Sequence, residues 1–169
     1  DVAFSVSAWV NCDSFSGGFP IISKGGYNQG NGEYAFLLGS SGKLALELYD
    51  ESVHDNYIGQ QYQTVLPLGK WNHVTATYSG NEASSGVKLY VNGALVTTTD
   101  YQDISPPYVA MEPSSAVVKI GAVKTSGAYA NGRIADARIY AEELGLADIQ
   151  VLASKINVAV LKSGRMKVR

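Results

Sequence analysis

One stretch decides the fold of this chain, and it reads Gly132-Arg133-Ile134-Ala135-Asp136-Ala137-Arg138-Ile139-Tyr140. In an extended strand the side chains alternate between two faces, so Ile134 and Asp136 share a face with Arg138 and Tyr140. Neither face is purely polar, which predicts a strand covered on both sides in the middle of a sheet. A carboxylate in a covered strand needs a cation or a bonding partner, so Asp136 is the first candidate site residue.

Outward from this stretch, the sequence is a series of short alternating segments separated by turn residues. Residues 4–10 alternate apolar and polar side chains as a strand does. Asn92-Gly93 predicts a hairpin, because both residues tolerate the positive φ of a two-residue turn. The apolar spacing in 143–153 predicts a single short helix. Many short strands with one helix predict an all-β fold of two packed sheets.

The composition indicates one all-β domain spanning residues 1–169. Of these residues 17% are charged, and 18 are glycine and 11 tyrosine, which is typical of an extracellular or virion-surface domain. The net charge of −2 argues against nucleic-acid binding, and no apolar run is long enough for membrane insertion. The single cysteine, Cys12, is expected to be buried and apolar. The sequence starts at Asp1 without a signal peptide, so we expect a processed form or an excised piece of a secreted or cell-surface protein.

Three segments together resemble a known family. They are Phe4-Ser5-Val6-Ser7-Ala8-Trp9-Val10, Trp71-Asn72-His73-Val74-Thr75-Ala76-Thr77-Tyr78-Ser79-Gly80 and Leu89-Tyr90-Val91-Asn92-Gly93. With Ile120-Gly121, the strand at 132–140 and the predicted helix following in order, they are similar to the laminin-G-like branch of the concanavalin A-like lectin/glucanase jelly rolls. The resemblance covers most of residues 4–153 and implies a two-sheet antiparallel jelly-roll sandwich. It implies less about function, because this fold serves many functions.

The C-terminal end departs from the family pattern. Such domains usually begin with an extra strand–turn–strand, and here residues 158–168 look like that hairpin. Three interpretations stay open: the segment 154–169 folds back into its own domain as a circular permutation, it enters a neighbouring copy as a donated strand, or the chain is a piece of a longer one. The strand residues of this segment are Val158, Val160, Met166 and Val168.

Charge is unevenly distributed along the chain. Residues 155–169 carry five basic residues and no acid, whereas residues 33–55 carry five acids and one lysine. This asymmetry favours head-to-tail self-assembly of identical subunits in a salt-dependent way. The alternative is a basic tail that is simply solvated.

Catalysis is not expected. Glucanases of this fold carry a Glu-x-Asp-x-x-Glu strand that supplies the acid and the nucleophile. The most similar stretch here is Glu47-Leu48-Tyr49-Asp50-Glu51, in which Tyr49 replaces the middle acid. His73 lies in the Trp-x-His-Val segment of the family, where we interpret it as a hydrogen-bonded framework residue. The sequence therefore predicts a binding or structural protein rather than an enzyme.

Calcium is the one cofactor that the resemblance implies. Asp136 resembles an Asp of related glucanases that helps to hold a structural Ca²⁺ together with backbone carbonyls, and Ca²⁺ takes six to eight oxygen ligands. The alternative is a salt bridge from Asp136 to Arg138 or Arg133. A second candidate metal site is Asp13, with Asn11 and Asp100.

Loop tyrosines next to amides or acids are the candidate ligand-binding residues. A sugar presents C–H groups to an aromatic face and hydroxyls to amide or carboxylate groups. The alternative is that these tyrosines pack over the ends of the sandwich. The candidates are Tyr27, Asn28, Asn31, Tyr57, Tyr101 and Tyr129.

Two functions from different classes follow. The first is an extracellular recognition or adhesion module whose partner is a glycan or an extracellular protein. The second is a structural subunit of a fibre, tube or virion that assembles with identical subunits by donating its C-terminal strand to a neighbouring copy.

Overall fold

The computed structural model describes residues 1–26, 30–52, 56–102, 107–123 and 128–154. Within these ranges the chain forms eleven strands, a short 3-10 helix at Ser84–Gly86 and one α-helix. They are β1 (Phe4–Ser14), β2 (Phe19–Lys24), β3 (Tyr34–Leu38), β4 (Lys43–Asp50), β5 (Asn56–Val65), β6 (Trp71–Tyr78), β7 (Val87–Val91), β8 (Ala94–Leu95), β9 (Thr98–Asp100), β10 (Val118–Ile120), β11 (Asn131–Tyr140) and α1 (Leu146–Ser154).

The strands form two antiparallel sheets that pack as a jelly-roll sandwich. The five-stranded sheet has the order β11-β1-β6-β7-β8, and the six-stranded sheet has the order β10-β2-β3-β4-β5-β9. This confirms the predicted fold class, and α1 is the short helix that the apolar spacing predicted. The predicted hairpin with Val158, Val160, Met166 and Val168 lies outside the described residues.

The hydrophobic core lies between the sheets and follows from the alternation within each strand. On β4, Leu44, Leu46 and Leu48 are fully buried in it, and burying one such side chain stabilises the fold by about 1.5–3 kcal/mol. Cys12 is buried in the same core, as predicted. Burial, together with the Asp13 charge, raises the pKa of its thiol to about 12, so the thiol stays protonated and unreactive.

β1 is the strand that is covered on both faces. Every residue from Phe4 to Cys12 is buried, because β1 lies between β11 and β6 and its outward face also lies under other parts of the chain. On that outer side Leu144 and the α1 residue Ile149 form a second apolar cluster with Tyr90 and Tyr140. The five-stranded sheet is therefore at the centre of three layers.

Among the described residues, the 132–140 stretch is not covered on both faces as predicted. Among the described strands β11 lies at the edge of its sheet, with β1 beside it. Its side chains Arg133, Asp136 and Arg138 are exposed. Position within a sheet depends on pairing with distant strands, which the local alternation of residues does not reveal.

A β-bulge also changes which residues of β11 share a face. Ser7 faces Arg138, but Trp9 faces Ala135, so two residues of β11 lie opposite one of β1. Asp136 is in this bulge and adopts a φ of 50°, a conformation for which Asp and Asn are favoured after glycine. The residues that consequently pack against the core are Ile134 and Ala137.

No helix in the described part of the chain has the length and apolarity needed to cross a membrane.

Candidate functional site

Three tyrosines and one glutamate lie together on the outer face of the six-stranded sheet. Because Leu46 and Leu48 face the core, the alternation in β4 turns Glu47 and Tyr49 outward. Across the β4–β5 pair, Tyr49 lies opposite Tyr57, and the backbone of Tyr101 is bonded to β5 just beyond the end of β9. We call Glu47, Tyr49, Tyr57 and Tyr101 the tyrosine cluster.

The rings of the tyrosine cluster contact one another edge to face. The ring centroids of Tyr49 and Tyr57 are 6.4 Å apart at an interplanar angle of 71°. Those of Tyr57 and Tyr101 are 5.6 Å apart at 60°. The structure thus brings together two of the sequence-predicted ligand residues, Tyr57 and Tyr101, and both are partly exposed.

The polar groups of the cluster are a carboxylate and protonated phenols. The Tyr49 hydroxyl donates a hydrogen bond to the Glu47 carboxylate. Burial raises the pKa of the Tyr49 phenol well above its ordinary value, and the Glu47 charge adds to this effect. Burial and then the Glu47 charge also raise the pKa of Tyr101. The Tyr49 hydroxyl is buried and already donates to Glu47, so the phenols of the cluster that lie nearest the surface are those of Tyr57 and Tyr101.

Gly59 allows the backbones of β4, β5 and Tyr101 to approach one another closely. Tyr101 donates its N–H to the Gly59 carbonyl at 3.0 Å. A Cβ at Gly59 would lie 2.1 Å from the Leu46 carbonyl oxygen and 3.1 Å from the Tyr101 carbonyl oxygen. Only a residue without a side chain fits between these two carbonyls, so Gly59 fixes where Tyr101 lies relative to Glu47.

The other predicted ligand residues are spread over different loops. Asn31 is exposed and lines a depression of about 390 Å³ with Glu51 and other loop residues. The neighbouring Gly32 donates its N–H to Glu51 Oε1 at 2.8 Å and lies directly against the Tyr49 ring. The Asn31 loop therefore borders the tyrosine cluster, although its depression is separate from it.

Tyr129 lies apart from these groups. It is 63% exposed and forms an isolated bridge with Ala122 in the connection between β10 and β11. Tyr27 and Asn28 lie outside the described residues.

Sequence reasoning missed Glu47 and Tyr49 as ligand-binding candidates. The predicted candidates belong to expected loops, whereas Glu47 and Tyr49 lie within β4, and Tyr57, expected in a loop, lies within β5. The signal that could have found them is the alternation in 44–49, which buries three leucines on one face and leaves the other face to Ala45, Glu47 and Tyr49.

The acids of the 47–51 stretch do not converge on one point. Glu47 faces outward, whereas the buried Asp50 carboxylate accepts hydrogen bonds from Ser52 and from the Val109 N–H at 2.7 Å. Glu51 is bonded to the Gly32 N–H. These partners give Asp50 and Glu51 structural roles.

The three carboxylates predicted as calcium ligands have protein partners. The Asp136 carboxylate accepts two hydrogen bonds from the Arg138 guanidinium, at 2.8 Å and 3.0 Å, and this bonding raises the pKa of Arg138. Asp13 lies 3.9 Å from Arg133, and Asp100 accepts a bond from Gln60 at 2.6 Å. In the described ranges no three acidic, histidine or cysteine residues cluster as metal ligands. Calcium binding therefore stays a prediction, since the described candidates do not come together in one site.

Comparisons with known proteins agree with this architecture. A family model described as "Concanavalin A-like lectin/glucanases superfamily" matches residues 1–150. Among curated proteins none matches the chain.

Several solved structures share the fold at low sequence identity. Domain 4 of an extracellular arabinanase from Geobacillus stearothermophilus, in complex with arabinotriose, is 20% identical with a TM-score of 0.63, over 91% of this chain and 68% of that one. The IT-sialidase CBM40 of Ruminococcus gnavus, bound to α2,3-sialyllactose, is 16% identical with a TM-score of 0.66, over 90% and 83%. The receptor-binding domain of a botulinum neurotoxin C/D mosaic serotype is 20% identical with a TM-score of 0.62, over 90% and 36%.

The chain spans less than half of some of these proteins. It covers 36% of the neurotoxin chain and 40% of a similar chain from Bacteroides ovatus. At these identities the likeness establishes the fold alone.

Proposed function

The chain belongs to the concanavalin A-like lectin/glucanases superfamily, and from this premise we propose that it is a non-catalytic module that binds carbohydrate through the tyrosine cluster.

The observation that carries this proposal is the Tyr57–Tyr101 pair beside Glu47. The two partly exposed rings are 5.6 Å apart and offer apolar surface to the C–H face of a sugar ring. Beside them, the Glu47 carboxylate, which accepts a hydrogen bond from Tyr49, and the Tyr57 and Tyr101 hydroxyls are groups of the kind to which sugar hydroxyls bond. Aromatic surface and polar groups thus occur together at this place on the outer sheet face.

The solved structures support the ligand class. The arabinanase domain was solved with arabinotriose and the sialidase CBM40 with sialyllactose. The arabinanase is an extracellular protein, and we propose a secreted or surface-displayed setting for this chain as well.

The arrangement of acids favours binding over catalysis. Hydrolysis of a glycosidic bond requires two carboxyl groups that face the same sugar. Glu47 has Tyr49 as its neighbour on the outer face of β4, and the Asp50 carboxylate is bonded to the 109–110 backbone instead. We therefore expect sugars to bind without being cleaved.

An oligosaccharide array tests this proposal. We expect the full chain to bind a subset of glycans, and Tyr101→Ala to lose that binding while keeping the wild-type melting temperature within a few degrees. Tyr129→Ala is the matched control, because it removes an exposed tyrosine outside the cluster. Glycan binding by Tyr101→Ala that equals wild type would contradict the proposed site, and an array without any bound glycan would contradict the function.

Self-assembly through a donated C-terminal strand is the second candidate function. The observation that favours it is the edge position of β11 among the described strands, since an unpaired strand edge accepts another strand. A polymer or dimer of the full chain on a sizing column, lost on substitution of Val158 and Val160 by aspartate, would support it. A monomer at all concentrations would contradict it.

A further inference from the structure

The two sheets leave one side of the sandwich uncovered by the described strands. β10 is the last strand of one sheet and β11 is the last strand of the other. They lie on the same side, because the Ala130 N–H just before β11 bonds the Gly121 carbonyl just after β10. Several large apolar side chains are exposed along this side, and they are Val2, Val117, Val118, Ile120 and Ile139.

A groove runs between these two edge strands. Its volume is about 640 Å³, and its apolar lining comes from both sheets and from the 111 loop. The Lys24–Glu33 ion pair lies at its margin, with a 2.5 Å separation. The principal apolar lining residues are Val2, Phe4, Tyr34, Met111, Val118 and Ile139.

This geometry fits an extended peptide. Edge strands present a row of backbone N–H and carbonyl groups that pair with an added strand. Such a strand gains backbone hydrogen bonds from β11 and places every second side chain in the adjoining apolar groove. The occupant that fits therefore has alternating apolar residues over about six or more positions.

We propose that this groove, the β10–β11 groove, is the docking site of the C-terminal segment 156–168 of the same chain. The segment contains the apolar run Ile156-Asn157-Val158-Ala159-Val160-Leu161 and ends in an alternating pattern. In that ending, Met166 and Val168 alternate with three basic residues, so an extended chain turns its apolar side chains inward and its charges outward.

The length of the chain after α1 allows this docking. The end of α1 lies over the β7–β8 turn, where the Ala153 Cβ approaches Gly93. From there to the free edge of β11 the chain crosses four strand spacings, or about 19 Å. Fifteen residues follow Ser154 in the sequence, and at about 3.3 Å per residue about six of them cover this distance. The residues that remain are enough to pair with the second half of β11, up to Tyr140.

The direction of the segment brings opposite charges together. The β7–β8 turn lies level with Ala135, in the middle of β11, because Asn92 is bonded to His73, His73 lies opposite Trp9, and Trp9 lies opposite Ala135. A segment that runs from there into the groove lined by Ile139 and Tyr140 is parallel to β11, and its last residues come level with Ile139 and the exposed Glu142. Its basic residues 165, 167 and 169 then face this acid.

Attachment to the same chain favours this occupant over one from another molecule. A tethered segment is present at an effective concentration of about millimolar, which exceeds the concentration of free copies in ordinary solutions. The inference is independent of sugar binding, since the tyrosine cluster lies on the outer face of the other sheet.

Hydrogen exchange of the full chain tests the proposal. We compare wild type with the double variant Met166→Asp/Val168→Asp and follow peptides covering β11 and β4. In the variant we expect the β11 peptide to exchange at least about tenfold faster, as amides that lose an edge partner do, and β4 to stay unchanged. Ile139→Asp is expected to give the same result from the groove side.

The matched control is Leu95→Asp, which places the same charge on an exposed apolar residue of β8. It is expected to leave β11 exchange at the wild-type rate. Equal β11 exchange in wild type and in both groove variants would overturn the proposal. A wild-type protein that is dimeric, and whose β11 protection is lost on dilution, would also overturn it, because the segment would then come from a second copy.

Discussion

The imidazole of His73 packs edge to face against the indole of Trp9, with ring centroids 5.3 Å apart at an interplanar angle of 65°. The two residues lie opposite each other on β6 and β1, on the buried outer face of the five-stranded sheet. Burial lowers the pKa of His73 to about 4, with opposing smaller effects from the Asp136 and Arg138 charges. His73 is thus a neutral, buried ring that packs against Trp9, which agrees with the framework role predicted for it.

The buried His73 makes stability depend on pH. Its pKa is about 6.5 in the unfolded chain and about 4 in the folded chain, so between these values the unfolded state binds the proton more readily. The stability that the neutral His73 contributes to the folded state is fully present above pH 6.5 and is lost progressively as the pH falls towards 4. We expect the free energy of unfolding in urea to fall from pH 7 to pH 4.5, and His73→Gln to show a smaller decrease. A His73→Gln variant with the wild-type dependence would contradict this assignment.

Asp50 anchors the 109–110 backbone to β4. Asp50 is 1% exposed, and its carboxylate accepts bonds from Ser52 Oγ at 2.6 Å and from the Val109 N–H at 2.7 Å. Burial works to raise the pKa of this carboxyl, but the hydrogen bonds outweigh it and lower the pKa. We expect Asp50→Ala to reduce the free energy of unfolding by about 2–4 kcal/mol, because it leaves several buried donors unpaired. Asp50→Asn keeps one acceptor and is expected to cost less. Equal losses in the two variants, measured by urea titration, would show that the hydrogen bonds are not the cause.

Gly59 is expected to tolerate no side chain. A Cβ at this position would lie 2.1 Å from the Leu46 carbonyl oxygen, so Gly59→Ala forces β4 and β5 apart and displaces Tyr101. We expect a loss of about 1–3 kcal/mol in thermal unfolding and weaker sugar binding. Gly39→Ala is the control, since a Cβ at Gly39 would come no closer than 3.8 Å to its nearest neighbour, Ser41 Oγ. A Gly59→Ala variant as stable as Gly39→Ala would contradict the close approach of the two backbones.

The Asp136–Arg138 pair gives a direct test of the calcium prediction. Both side chains are more than one third exposed, and exposed ion pairs contribute about 0–1 kcal/mol. We therefore expect Arg138→Ala to change the melting temperature by no more than a few degrees. If calcium binds at Asp136, a chelator lowers the melting temperature of wild type but not of Asp136→Ala. Equal effects of the chelator on both proteins would remove calcium from this position.

The sequence supported the fold well and the site only in part. Alternation and turn residues are local signals, so the strands, the sandwich and α1 could be predicted from them. The bulge at Asp136 and the edge position of β11 among the described strands depend on pairing between distant strands, which no local pattern contains. Tyr57 and Tyr101 were predicted as separate loop candidates, because the antiparallel register that brings them together was not known from the sequence. The same register joins them to Glu47 and Tyr49, which lie within a strand.

Calorimetric titration of the best glycan from the array tests the central claim most directly. Wild type, Tyr57→Ala and Tyr129→Ala are compared at one pH and salt concentration, and melting temperatures verify that each protein is folded. Binding through the tyrosine cluster predicts at least about tenfold weaker affinity for Tyr57→Ala, equivalent to about 1.4 kcal/mol, and wild-type affinity for Tyr129→Ala. Unchanged affinity in Tyr57→Ala, or an equal loss in both variants, would contradict the account.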